Sequence, residues 1–167
     1  MFSAIVYKST TGSCKKYADL LSARLHIPAF PLGKEYVLAD TKIIYVGWLF
    51  AGKIMGYDKA AKKYDIGAVV QVGMSPVSAK SEEVCREKNA VCADVPVFTR
   101  QGAFNINKLP PHFRFIMKIK NKDIAARFEG KENLSDAQKA TYKMASTGVG
   151  EPPCWCVDDI VKWCAEH

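Results

Sequence analysis

Ile5-Val6-Tyr7-Lys8-Ser9-Thr10-Thr11-Gly12-Ser13-Cys14 is the stretch whose reading decides the fold. An apolar run stops in a cluster of small, hydroxyl-bearing residues. The residues beyond it have helical spacing, with Tyr17, Leu20, Leu21 and Leu25 recurring on one face. A strand that ends this way and feeds a helix makes an anion trap. The turn presents successive backbone N–H groups, the helix adds the positive end of its dipole, and Ser and Thr hydroxyls complete the cradle. Ser9, Thr10, Thr11, Gly12, Ser13 and Cys14 are therefore candidate phosphate-binding residues. An ordinary strand-to-helix turn capped by Ser or Thr has the same pattern, so the rest of the chain has to separate the two.

Outward from this stretch, apolar runs and breakers repeat the alternation of strand and helix. Phe2 to Lys8 predicts a first strand and Gly12 to His26 a first helix, with Pro28 ending the helical region. A short strand fits Ala29 to Leu32, and a third strand fits Lys42 to Gly47, followed by a helix from about Ile54 to Tyr64. Ile66 to Gly73 is apolar almost without interruption, which implies burial on both faces, as in a parallel sheet. A helix containing Glu82 to Lys88, a fifth strand at Val95 to Thr99, a long irregular segment and a closing helix at Val157 to Ala165 complete the series. The expected fold is α/β: a doubly wound five-stranded parallel sheet with right-handed crossovers, strand order 2-1-3-4-5 and helices on both faces. Residues 1–167 form a single domain in this reading, with an insertion at about 101–150 after the fifth strand.

That strand order puts the ligand at the switch point between the first and third strands. The loop expected after the third strand reads Gly47-Trp48-Leu49-Phe50-Ala51-Gly52-Lys53, two aromatics between two glycines in a place where a loop is ordinarily polar. A planar heterocycle stacked on Trp48 or Phe50, with glycines letting the backbone approach, would account for them. Packing under the next helix is the alternative. The same stretch has the spacing of a nucleotide-binding P-loop, except that Ile54 stands where the magnesium-binding hydroxyl belongs. That change removes the metal ligand and argues against a nucleotide triphosphatase.

Tyr7-Lys8-Ser9-Thr10-Thr11-Gly12-Ser13 resembles the FMN phosphate loop of flavodoxins, in the place after the first strand where that family carries it. Gly47 to Gly56, together with Phe98-Thr99-Arg100-Gln101-Gly102-Ala103-Phe104 and Lys108-Leu109, is most similar to flavodoxin-like proteins related to menaquinone-dependent protoporphyrinogen oxidase. The resemblance spans nearly the whole chain. It implies a flavodoxin-like fold with noncovalent FMN, its phosphate on Ser9 to Cys14 and its ring between Gly47 to Lys53 and Gly73-Met74-Ser75, with Lys53 as a cation beside the ring. It also implies an oxidoreductase passing electrons from a reduced small-molecule substrate to an acceptor such as a quinone or a redox protein, the flavin carrying the chemistry. Gln101 to Lys108 would form one wall of a substrate cleft. A one-electron carrier and a non-catalytic flavin-binding module remain open on the same residues.

Charge and composition narrow the partners. The chain carries 24 Lys and Arg against 17 Asp and Glu, a net charge of +7. The cations are spread along the chain without a nucleic-acid motif, which argues against nucleic acid. From Phe113 to Lys122 they are interleaved with large apolar residues after a Pro110-Pro111 start. Phe113, Ile116, Met117 and Lys120 fall at helical spacing, while Arg114, Lys118 and Lys122 share another face. A basic amphipathic helix of this kind suits peripheral membrane contact through residues 109–122, or else packs its apolar face on the domain. No apolar run approaches the roughly 20 residues of a membrane span and the first residues lack signal-peptide character, so a cytoplasmic location is expected. Cys14, Cys85, Cys92, Cys154, Cys156 and Cys164 lack zinc spacing and read as reduced thiols, with the Cys154-Trp155-Cys156 pair expected to be inert and buried. His26, His112 and His167 are scattered, and no metal site is expected.

Overall fold

β1 (Ala4–Lys8) buries Ala4, Ile5, Val6 and Tyr7 in succession, because it has a strand on each side and apolar layers above and below. The computed structural model describes residues 1–34, 36–76 and 78–167. β1 pairs in parallel with β2 (Ala29–Pro31) and with β3 (Lys42–Phe50). A two-residue strand, β4 (Lys53–Ile54), folds back antiparallel on β3, off the main path. β5 (Asp65–Gly73) pairs in parallel with β3, and β6 (Val97–Gln101) in parallel with β5. The result is a mostly parallel sheet in the order β2-β1-β3-β5-β6.

Successive strand residues point to opposite faces, and each face carries its own apolar layer. Ile5, Ile44, Val46, Val70 and Val72 pack with Tyr17 and Leu21 of α1 (Ser13–Leu25) and Ile160 of α6 (Asp158–Glu166). Val6, Ile43, Tyr45 and Val69 pack with Tyr57 and Ala60 of α2 (Tyr57–Ala61) and Cys85 of α3 (Ala79–Asn89). A third, smaller cluster lies beyond β6. There Phe104 of β7 (Phe104–Asn105), Leu109 and Met144 pack with Met74, Phe113 and Met117. Phe113 and Met117 belong to α4 (Pro111–Ala126), and Met144 to α5 (Asp136–Thr147). β8 (Val149–Gly150) closes this unit by pairing antiparallel with β7.

Three expectations change. The stretch Gly47 to Lys53 is not a loop: β3 runs on to Phe50 and turns through Ala51 and Gly52, whose φ angles are 51° and 83°. Two consecutive positive φ values mark the hairpin turn that matches strand twist, and Leu49 then faces Ile54 and Phe50 faces Lys53. The hairpin takes the residues that were to open a helix at Ile54, so α2 starts only after Gly56 (φ 86°), and the P-loop geometry of strand, loop and helix is absent. The expected irregular segment contains α4 and α5. α5 opens with a capping box in which Ser135 Oγ accepts from the Gln138 N–H and the Gln138 side chain accepts from the Ser135 N–H. Finally, Cys154 and Cys156 are exposed rather than buried, because Trp155 between them turns inward onto Tyr17, with ring centroids 5.0 Å apart. All six cysteines are unpaired thiols.

Candidate functional site

The parallel strands β1, β3, β5 and β6 end on the same side of the sheet, and an open cleft lies there. Ser9, Thr10, Thr11, Ser13 and Cys14 line it from the β1–α1 connection. Trp48, Leu49 and Phe50 line it from the extension of β3, and Val72, Gly73 and Met74 from the end of β5. Gly102, Ala103 and Phe104 follow β6 into the wall, and Leu109 and Met117 reach it from the inserted unit. The cleft is mostly apolar with a small polar corner, the usual make-up of a small-molecule site.

Geometry explains the polar corner. Gly12 takes φ 102° at the N-cap of α1, a conformation glycine adopts without penalty, and no side chain caps the helix. The first intrahelical bond runs from Lys16 N–H to the Gly12 carbonyl at 3.0 Å. The N–H groups of Ser13, Cys14 and Lys15 therefore precede the helical ladder and point outward from it, and the first turn holds no acidic residue. The hydroxyls are partly committed. Ser9 Oγ accepts from Gly12 N–H at 3.2 Å, Ser13 Oγ donates to the Ala103 carbonyl at 3.0 Å, and Thr11 Oγ1 approaches the same carbonyl at 3.5 Å. What this corner offers to an anion is chiefly backbone N–H groups and the helix dipole.

Aromatic residues form the opposite wall. Trp48 and Phe50 meet edge-on at 6.2 Å, and Phe113 of α4 packs edge-on against both, at 5.3 and 4.7 Å. Lys120 Nζ lies 5.5 Å from the Phe50 ring centre. The inserted unit thus closes over the aromatic pair while leaving both rings on the cleft. Trp48 Nε1 is buried and no acceptor reaches it among the described residues.

Several residues expected at the site lie off the cleft. Gly47 is buried inside β3, and a Cβ there would meet Ile54 Cγ2 at 2.4 Å on the α2 side of the sheet. Ala51 and Gly52 form the hairpin turn against α3, where Lys88 Nζ donates to the Ala51 carbonyl and Asn89 Nδ2 to the Gly52 carbonyl, each at 2.9 Å. Lys53 and Ser75 are exposed and outside the lining, and exposed Gly12 serves as the cap. No charged side chain lines the cleft among the described residues. Cys14 is 1% exposed, and burial pushes its thiol well above the usual range, so it lines the floor as a neutral group.

Gln101 and Gly102, the first residues of the stretch expected to form one wall, hold the cleft in shape. Buried Gln101 points the two hydrogens of Nε2 into a group of three acceptors, the Met74 carbonyl at 2.9 Å, the Ala137 carbonyl at 3.0 Å and Thr141 Oγ1 at 2.9 Å, tying the ends of β5 and β6 to α5. Gly102 donates its N–H to the Gly73 carbonyl at 2.8 Å, and a Cβ there would come within 2.6 Å of Val72 Cγ1 and 2.9 Å of Ser13 Cβ. A polar residue followed by glycine at a strand end is the signal either leaves in the sequence. No group of His, Cys, Asp and Glu able to hold a metal occurs among the described residues.

Comparison with family models, with curated proteins and with solved structures found no match.

Proposed function

We propose that the cleft binds FMN and that the chain is a flavodoxin-like oxidoreductase, passing electrons from a reduced small-molecule substrate to an acceptor such as a quinone. One observation carries this reading: the uncapped, acid-free N-terminus of α1 and the Trp48–Phe50 pair border the same cleft, at the ends of adjacent strands β1 and β3. The mostly parallel sheet, in the order β2-β1-β3-β5-β6 with helices on both faces, supports a flavodoxin-like reading.

The residues present suit the cofactor. Backbone N–H groups at the start of α1 would hold its phosphate without a lysine, and Trp48 and Phe50 would hold the ring. The orphan Trp48 Nε1 would find an acceptor in a ring carbonyl, which relieves a buried unpaired donor. Bound FMN supplies the redox chemistry that the side chains lack. Phe104, Leu109 and Met117 offer an apolar wall to a substrate and keep water from it. Among the described residues the lining holds no carboxylate to oppose negative charge delivered to the ring, which favours the oxidoreductase over an acidic electron carrier.

The test uses calorimetry with FMN and with riboflavin, which lacks the phosphate. Thr11→Glu places a negative charge beside the N-terminus of α1. FMN affinity should fall about tenfold or more, about 1.4 kcal/mol, while riboflavin affinity changes little. An equal loss of both ligands, or no loss of either, would remove the phosphate from this corner.

A further inference from the structure

α4 presents two apolar faces, and only one is covered. Phe113 and Met117 turn toward the cleft cluster, whereas Phe115, Ile116 and Ile119 stand in solvent, 67%, 37% and 55% exposed. With about 100° per residue, those three fall on one stripe, opposite Phe113, Met117 and the buried Asn121. The outward face of a packed helix is ordinarily polar. Here the exposed Lys118 and Lys122 border the stripe on one side and the exposed Lys120 on the other. Asp123, the helix's one acidic residue, is exposed one turn beyond Ile119 on the same side, so the apolar stripe ends there.

We infer that this face of α4 docks the protein on an anionic bilayer surface, Phe115, Ile116 and Ile119 entering the headgroup boundary while Lys118 and Lys122 meet lipid phosphates. Charge complementarity selects this occupant. An apolar stripe bordered by cations matches a surface that is apolar beneath and negative above. A second copy of the chain on the same stripe would bring the lysine rows toward one another, since a two-fold contact pairs like with like. The opposite face of the same helix brings Met117 to the cleft, so docking leaves α4 between the cleft and the bilayer.

Vesicle flotation of the purified chain, without cofactor, tests the inference with phosphatidylcholine alone and with phosphatidylcholine mixed with phosphatidylglycerol. The chain should float with the mixed vesicles about tenfold more strongly than with the neutral ones, and high salt should weaken it. Phe115→Ser with Ile119→Ser, and separately Lys118→Glu with Lys122→Glu, should each lower partitioning about tenfold or more. All four sites are exposed, so both variants should keep the parent's melting temperature and FMN affinity. Two results overturn the inference. In one, the chain does not float with mixed vesicles or the serine variant floats as well as the parent; in the other, sedimentation shows a dimer that the serine variant disperses. FMN affinity is read on the same samples, so failure of the bilayer contact leaves the cofactor reading standing, and the reverse.

Discussion

The indole of Trp48 answers two demands at once. Its ring packs against Phe50 and Phe113, while its Nε1 is buried with no acceptor among the described residues. A buried unpaired donor costs about 1–3 kcal/mol, more than a satisfied hydrogen bond contributes. Trp48→Phe keeps an aromatic ring at the site and removes that donor. Lost area and the relieved N–H then offset each other, and the stability of the cofactor-free chain should stay within about 1 kcal/mol of the parent. FMN affinity should fall by about 1 kcal/mol, roughly fivefold, because the bond to the ring is lost. Urea unfolding and calorimetry on the same variant check the two signs. A variant that loses stability and keeps its affinity would leave Trp48 as packing alone.

Among the elements, the parallel strands are legible in the sequence because burial on both faces leaves a continuous apolar run, as in Ile66 to Gly73, all of it in β5. The β3–β4 hairpin is not, since Trp48-Leu49-Phe50 is as apolar as the strand before it and two aromatics between glycines read equally well as a ligand loop. The pairing of Leu49 with Ile54 settles it, together with the buried side chain of Asn89, whose Oδ1 accepts from the Ile54 N–H at 2.8 Å. No local pattern announces a contact 35 residues away. The cleft residues next to β1 and β5 are legible for the opposite reason, being set by strand ends. α5 buries small or flexible residues, Thr141, Met144 and Ala145, which make a faint stripe. Its position depends on Gln101, which bonds to both Ala137 and Thr141. Gln101→Leu leaves the Met74 and Ala137 carbonyls each within reach of Thr141 Oγ1, and it also removes the buried Gln101 Oε1, which no donor reaches among the described residues. The expected cost is about 1 kcal/mol, the net loss of the bonds to α5. Amide exchange should quicken in residues 137–147 while β1 and β3 keep their protection. Uniform loss of protection across the sheet would mean that α5 is not a separately docked element.

At the scale of the whole molecule, the two apolar layers enclose thiols and phenols that water would otherwise ionise at high pH. Cys14 lies under one face of the sheet and Cys85 under the other, at 1% and 0% exposure. Burial pushes the Cys85 thiol up to about 11, and Cys14, Tyr17 and Tyr45 higher still. An unfolded thiol ionises near 9, so above that pH the unfolded chain has released protons that the folded chain keeps. The unfolded state then binds fewer protons, and stability falls as pH rises. The contribution is complete below about pH 9 and is lost progressively toward 11 and beyond. Cys14, fully enclosed, accounts for up to about 1.4 kcal/mol per pH unit across that window. The urea midpoint should therefore stay level from neutrality to about pH 8.5 and drop between 9 and 11. In Cys14→Ala, starting from a somewhat lower midpoint, the drop should be shallower by that one group's share. Parallel curves for the variant and the parent would show that the Cys14 thiol is solvated in the folded protein, and with it the floor of the cleft.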